Sequence, residues 1–157
     1  KKWIKEKKPT TKKMHFIKKG DFKIKKNNSI IINNKKIYKN LFNNKYIILD
    51  ARNESRFKGT KLEPRKNLRS GHIPNSKNLF WAKLIHKDGT IKSKKNIRKI
   101  IKNYELSNKK NIITSCGSGI TACILSLSLL YSSNIKSKIY DGSWSEWGAK
   151  NNLPIET

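Results

Sequence analysis

Residues 111–122 read Asn-Ile-Ile-Thr-Ser-Cys-Gly-Ser-Gly-Ile-Thr-Ala, and this stretch decides the fold. The apolar run Asn111–Thr114 has the length and composition of a short buried strand. After a glycine-spaced loop, residues 121–131 carry apolar side chains at helical spacing, namely Ala122, Leu125, Leu129 and Leu130. A buried strand that passes through a tight loop into a helix is typical of an α/β domain.

Cys116 occupies the loop between this strand and this helix. The first N–H groups of a helix have no internal partner and the helix dipole favours negative charge there, so the position stabilises a thiolate. Gly117, Ser118 and Gly119 allow backbone N–H groups to face one ligand. We therefore predict that Cys116 is a nucleophile. Cys123 is predicted to pack in the apolar helix, about two turns away and too far for a disulfide.

The rest of the chain alternates short apolar runs with helical patterns. Strands are predicted at 30–32, 46–50 and 138–140, and helices at 37–42, 94–104 and 145–150, with Ser93 as the N-cap of the second. Residues 51–80 form a long excursion of the kind that carries function. The fold class is therefore α/β, with a parallel sheet and helices on both faces.

The formal charge of +27 comes from 37 lysines and arginines against 10 acidic residues. A basic chain suggests nucleic acid, but the lysines lie scattered among asparagine and isoleucine, without the interleaved aromatic residues of a single-strand binder. We expect no specific nucleic-acid partner. The apolar runs are far shorter than the ~20 residues of a membrane-spanning helix, so no membrane partner is expected either. Two cysteines in separate contexts favour a reducing, cytoplasmic location.

Arginine is rare in this chain and clustered. Four of the five arginines, Arg52, Arg56, Arg65 and Arg69, fall in one short stretch. The planar fork of arginine binds a carboxylate through two parallel hydrogen bonds, which indicates an anion site. For Arg52 and Arg69, pairing with a nearby carboxylate of the chain (Asp50, Glu54 or Glu63) explains the residues equally well.

The first 28 residues are lysine-rich and lack periodicity. Trp3 is followed by Pro9 in the same way that Trp147 is followed by Pro154. We therefore interpret residues 1–28 as the tail of a preceding repeat with an interdomain linker, and residues 29–157 as the catalytic domain.

Four segments in order resemble the rhodanese-like sulfurtransferases, and within them the 3-mercaptopyruvate sulfurtransferases. They are Leu49–Arg52 running on to Arg65, Gly71–Pro74, Cys116–Ala122 and Tyr140–Trp147. The resemblance covers about residues 45–154 and implies the rhodanese-like fold. Phosphatase relatives carry an arginine where this chain has Ala122, so phosphatase chemistry is not expected.

The resemblance implies a sulfurtransferase that moves the sulfur of 3-mercaptopyruvate through a Cys116 persulfide and releases pyruvate. Ser118 is implied as the second catalytic residue, and the substrate would be bound by Arg56, Arg65 and the backbone of Gly117, Gly119, Ile120 and Thr121. The acceptor would be a thiol, such as thioredoxin or a small thiol, or cyanide. An upstream rhodanese-like domain is implied as well. The alternatives are a thiosulfate sulfurtransferase and a non-catalytic sulfur-carrier or interaction module.

The remaining polar and aromatic residues have ordinary structural explanations. His72 is expected to make a structural hydrogen bond, His86 to be solvated, and Trp144 and Trp147 to pack. The cysteines and histidines lack the spacing of metal ligands, so no metal and no cofactor are predicted.

Overall fold

A computed structural model describes residues 2–25, 29–104, 106 and 111–157. Five strands form one sheet in the order β1-β5-β4-β2-β3, and every neighbouring pair is parallel. The strands are β1 (Ile31–Ile32), β2 (Tyr46–Asp50), β3 (Ser76–Asn78), β4 (Asn111–Ser115) and β5 (Ser137–Tyr140). The parallel sheet predicted from the alternating pattern is confirmed.

Helices connect the strands. They are α1 (Lys2–Lys5), α2 (Asn34–Asn43), α3 (Glu54–Phe57), α4 (Lys94–Lys102), α5 (Ile120–Ser133) and α6 (Ser143–Trp147), with a 3₁₀ turn at Trp81–Leu84. Ser93 caps α4 as predicted, because its hydroxyl accepts a hydrogen bond from the N–H of Asn96. The four predicted helices correspond to α2, α4, α5 and α6, with ends that differ by a few residues, whereas α1 and α3 were not predicted.

The sheet is buried on both faces, as expected of parallel strands joined by helices. On one face, Leu49 and Ile112 pack with Ile97 of α4 and Leu125 of α5. On the other face, a second apolar cluster contains residues of the sheet, α2 and α6, among them Ile48, Ile113, Ile37, Trp144 and Trp147. The predicted packing of both tryptophans is confirmed.

Two expectations about α5 are wrong, and one strand was missed. Cys123 is exposed rather than packed, and its thiol donates a hydrogen bond to the carbonyl of Gly119. Leu130 is 46% exposed, whereas Ser128 and Ser132 are buried on α5. β3 was missed because this edge strand, Ser-Lys-Asn, has no apolar residue to mark it. The sheet, rather than the helical spacing alone, decides which side of α5 is buried.

The N-terminal segment lies outside both clusters. Within residues 2–25, α1 ends at Lys5 and buries no residue. Met14, Phe16 and Phe22 are almost fully exposed. Residues 26–28 lie outside the described chain, so the predicted boundary near residue 28 stays a prediction.

Candidate active site

Two loops meet at the carboxyl-terminal edge of the sheet. β2 and β4 are neighbours, and their last residues, Asp50 and Ser115, lie side by side. The cysteine loop, residues 116–119, leads from β4 into α5. The arginine loop, residues 51–75, leads from β2 through α3 to β3. Crevices outside the carboxyl ends of parallel strands are the usual binding sites of open α/β sheets.

Cys116 lies at the floor of the space between these loops and is 1% exposed. Its N–H donates to the hydroxyl of Ser143 at 3.1 Å, and this hydroxyl lies 3.9 Å from its sulfur. α5 begins directly after the loop, so its unpaired N–H groups face the same space. The positive end of the α5 dipole therefore lies at the same cavity as the Cys116 sulfur.

The short helix α6 supports the cysteine loop from behind. The carbonyls of Cys116 and Gly117 accept hydrogen bonds from the N–H groups of Trp144 and Ser145, both at 2.9 Å. Ser143 starts this helix with a φ of +49°, a left-handed conformation that a serine seldom adopts. The loop conformation thus depends on a segment far away in sequence.

Gly119 is fixed by its own backbone. Its φ is +84°, and a Cβ atom here would lie 2.9 Å from the carbonyl oxygen of Asp141. A side chain is therefore excluded by conformation and by space. Gly117 faces the other way, since a Cβ atom there would lie 3.1 Å from Nη2 of Arg56. The cysteine and arginine loops touch at this point.

The arginine loop is held by buried charges. Arg52 donates to Asp50 at 2.7 Å and to Glu63 at 2.8 Å, and all three side chains are almost completely buried. Glu63 also accepts two hydrogen bonds from Arg56, at 3.2 and 2.5 Å. The expected pairing of Arg52 with carboxylates is confirmed.

Arg65 and Arg69 use their guanidinium groups differently. Arg65 is exposed and donates to the hydroxyl of Ser145, so it joins the arginine loop to α6. Arg69 donates to backbone carbonyls of residues 147, 148 and 150. Of the two alternatives left open for Arg69, the pairing with a carboxylate is not the one observed, because the guanidinium group binds these carbonyls at the end of α6.

A cavity of about 480 Å³ lies between the two loops. Seven of the eight predicted site residues line it: Arg56, Arg65, Cys116, Gly117, Ser118, Ile120 and Thr121. Gly119 is the exception, because it is buried behind the loop. Phe80 and Trp81 form an apolar wall that the sequence reasoning did not assign to the site. Their position directly after the edge strand was the missing signal, since β3 itself was not predicted.

This arrangement places a thiol and guanidinium groups around one cavity, which suits nucleophilic chemistry on an anionic ligand. Three guanidinium groups (Arg52, Arg56 and Arg65) lie with two carboxylates (Asp50 and Glu63), which leaves one positive charge for a ligand. Residues 33–150 match the family described as "Rhodanese-like domain". The chain belongs to this family.

Among curated proteins, the rhodanese-like domain is 42% identical over 112 residues to the thiosulfate/3-mercaptopyruvate sulfurtransferase 1, mitochondrial, of Arabidopsis thaliana, covering 71% of this chain and 30% of that protein. It is 43% identical over 109 residues to the 3-mercaptopyruvate sulfurtransferase of Escherichia coli (strain K12), covering 69% of this chain and 38% of the relative. The chain therefore matches only about a third of the length of these relatives.

A solved structure shows the same likeness. The Tum1 protein from Saccharomyces cerevisiae superposes with a TM-score of 0.70 at 29% sequence identity, over 78% of this chain and 44% of that one. The superposition agrees with the five-stranded parallel sheet and its flanking helices. The predicted rhodanese-like fold is confirmed.

The environments of His72 and His86 agree with the expectations from the sequence. Nδ1 of His72 hydrogen-bonds the carbonyl of Phe57 at 2.8 Å, as expected, and His86 is exposed.

Across residues 2–25, 29–104, 106 and 111–157, no three His, Cys, Asp or Glu side chains gather as metal ligands. Within the same ranges, no helix combines the length and apolarity that crossing a bilayer requires.

Proposed function

We propose that the protein is a sulfurtransferase that transfers the sulfur of 3-mercaptopyruvate through a persulfide on Cys116. The observation that carries this proposal is the position of Cys116. Its thiol lies at the floor of the cavity, at the start of α5 and opposite the guanidinium groups of the arginine loop. A nucleophilic thiolate and a carboxylate-binding group thus face the same small space.

The chemistry proceeds in two displacements. The Cys116 thiolate attacks the sulfur of 3-mercaptopyruvate, so that an S–S bond forms and the carbon–sulfur bond of the substrate breaks. The electron pair goes to the carbon and gives the enolate of pyruvate, which then takes up a proton. In the second step, the thiolate of an acceptor attacks the outer sulfur and releases the Cys116 thiolate. Backbone N–H groups of the cysteine loop would stabilise the thiolate and the persulfide anion.

The arginine loop would bind the carboxylate of the donor. Arg56 shares Glu63 with Arg52, but its Nη1 atom has no partner among the described residues. Arg65 has no carboxylate partner within the same residues. The hydroxyl of Ser118, which has no hydrogen-bond partner in the described chain, lines the same cavity and is proposed to handle the thiol proton of the substrate.

The charge balance favours a monoanionic donor. Because Asp50 and Glu63 neutralise two of the three guanidinium groups, the cavity offers one positive charge. 3-Mercaptopyruvate carries one negative charge, whereas thiosulfate carries two. The second candidate, a thiosulfate sulfurtransferase, is supported by the double name of the Arabidopsis relative. A comparison of pyruvate release and sulfite release on the same protein decides between them, and faster turnover of thiosulfate would refute the first choice.

Sulfur loading of the protein tests the proposal directly. Intact mass spectrometry after incubation with 3-mercaptopyruvate should show the gain of one sulfur atom. Cys116→Ser should abolish this gain, and Cys123→Ser, on the exposed side of α5, should retain it. A wild-type protein that gains no sulfur would instead support the non-catalytic module.

We further propose that a rhodanese-like repeat precedes residue 29 in the complete protein. The indole N–H of Trp3 donates to the carbonyl of Pro9 at 2.9 Å, and that of Trp147 donates to the carbonyl of Pro154 at 2.8 Å. Trp147 is fully buried, whereas Trp3 is 55% exposed. Residues 2–9 thus form the same indole-to-proline hydrogen bond that is found at the end of the catalytic domain. In residues 2–9, however, no core covers the indole ring.

The coding sequence upstream of Lys1 tests this organisation. It should encode, in frame, another alternating strand and helix pattern that ends in the Trp3 segment. An initiation codon close to Lys1 would contradict it. A thiol acceptor and a cytoplasmic location remain part of the same proposal, the second resting on the two unpaired cysteines.

A further inference from the structure

A second cavity lies at the far end of α5. We call it the basic groove; it is formed by Lys94, Lys95, Arg98, Lys99 and Lys102 of α4 with Leu130 and Tyr131 of α5. Its volume is about 1300 Å³. The cysteine loop lies at the first residue of α5, so the two sites are separated by the length of this helix, about 20 Å at 1.5 Å per residue.

The walls of the basic groove carry charge of one sign. Five cationic side chains of α4 line it, and none of its described lining residues is acidic. Arg98 is the one arginine outside the arginine loop, and its Nε donates to the carbonyl of Ser132 at 2.6 Å. This bond fixes a guanidinium group beside the lysines. Such a cluster attracts an anionic partner more strongly than scattered lysines do.

The floor of the basic groove is apolar. Leu130 and Tyr131 are 46% and 42% exposed, although the helical pattern alone would have placed Leu130 in the core. Ile101 and Ile135 lie beside them as lining residues. Exposed apolar side chains framed by cations match a partner that combines apolar and acidic side chains.

A nucleic acid fits this surface less well. One face of the Tyr131 ring is already covered by the ammonium group of Lys94, 5.2 Å from its centroid, so this face is not open to a stacked base. An apolar floor also contributes nothing to a phosphate backbone.

From this geometry we propose that the basic groove docks an acidic, amphipathic segment of a partner protein. The segment would lay its apolar face on Leu130 and Tyr131 and its carboxylates against α4. Because the basic groove is remote from Cys116, a bound partner would leave the cavity of the active site open. This inference does not depend on the donor or the acceptor of the sulfur.

Peptide binding to the intact protein tests the inference. The probe is a labelled peptide with leucines at i, i+3, i+4 and i+7 and glutamates elsewhere, followed by fluorescence anisotropy. The double variant Lys95→Glu/Lys99→Glu should weaken binding roughly tenfold or more, because two attractive contacts become repulsive. The matched control is Lys35→Glu/Lys39→Glu, which changes the same charge at the same spacing on α2. Equal losses in both variants would overturn the proposal, since they would reflect net charge alone.

Polyglutamate and a variant of Leu130 separate the apolar contribution from the charge. Leu130→Ser should weaken the leucine-containing peptide and leave the binding of polyglutamate of equal charge nearly unchanged. Equal weakening of both peptides would refute the apolar contact. A single-stranded oligonucleotide and vesicles of anionic lipid are tested in the same way. If one of them binds more tightly than the peptide and loses this binding only in Lys95→Glu/Lys99→Glu, the partner is a nucleic acid or a membrane, and the proposal of a protein partner is overturned. None of the four substituted lysines lies in the catalytic machinery, so sulfur loading serves as the folding control.

Discussion

The cysteine loop passes from β4 to α5 over residues 116–119, whereas the arginine loop runs over residues 51–75 between β2 and β3. The first is shaped by a glycine conformation and by the start of a helix. The second is held by Asp50, Arg52, Arg56 and Glu63, which lie close only after the chain has folded back. The candidate active site therefore joins a loop set by backbone conformation and backbone hydrogen bonds, including those from α6, to a loop held by buried charge.

The two loops are vulnerable to different changes. A change of backbone conformation should damage the cysteine loop, and loss of a single charge should damage the arginine loop.

The largest effect is expected for Glu63→Gln in the arginine loop. The Glu63 side chain is 1% exposed and binds two guanidinium groups, so its loss leaves Arg52 with Asp50 alone and removes the carboxylate partner of Arg56. The free energy of unfolding should fall by about 3–5 kcal/mol, as measured by chemical denaturation. Glu54→Gln is the control, because its pair with Lys58 is exposed and should change little. Similar stabilities of the two variants would show that the buried charges do not hold this loop.

A smaller effect is expected for Gly119→Ala in the cysteine loop. Gly89 provides a matched control, since its φ of +87° resembles the +84° of Gly119 but a Cβ atom there would have no neighbour within 4 Å among the described residues. Gly89→Ala should cost about 1 kcal/mol for its conformation alone. Gly119→Ala should cost about 2–4 kcal/mol, because the new methyl group also meets Asp141, and it should reduce sulfur loading of Cys116. Equal costs would rule out crowding as the reason for glycine.

Arg65→Lys should act on the substrate more than on the fold. The substitution keeps the charge and removes the planar fork, so KM for 3-mercaptopyruvate should rise roughly tenfold, equivalent to about 1.4 kcal/mol. The melting temperature should stay nearly constant, since Arg65 is exposed. Arg69→Lys should show the reverse, with a lower melting temperature and little change in KM, because Arg69 binds backbone carbonyls of 147, 148 and 150. If KM rises in Arg69→Lys but not in Arg65→Lys, Arg69 rather than Arg65 binds the substrate, and the assignment is wrong.

The smallest effect concerns acid stability behind the cysteine loop. Burial raises the pKa of Glu146, but hydrogen bonds from Lys150 and Tyr140 outweigh it and hold this pKa below its ordinary value of 4.5. A lowered pKa in the folded state contributes stability above 4.5, and this contribution is lost as the pH falls through the folded pKa. Glu146→Gln should therefore be less stable than the wild type at neutral pH, and the difference should shrink in acid. A constant difference between pH 7 and pH 3 would contradict this assignment.

Local patterns predicted much of the catalytic half of the site. The order strand, loop, helix around Cys116 follows from an apolar run, two glycines and a helical spacing, all within one stretch of the chain. The same patterns misplaced Leu130 and Cys123, because helical spacing gives the period of a helix but not the direction of its buried side. They also missed β3, an edge strand without apolar residues, and with it the apolar wall formed by Phe80 and Trp81.

The sequence by itself determined the alternating α/β class, and it predicted the nucleophile and the type of anion-binding side chain, because these follow from residue periodicity and from the chemistry of individual side chains. Only the tertiary structure decided which arginines are neutralised. Arg52 and Arg56 share Glu63, whereas Arg65 has no carboxylate partner among the described residues. The physical reason is that hydrogen bonds and charge pairing act over a few ångströms in space, and distance along the chain does not predict which groups meet there.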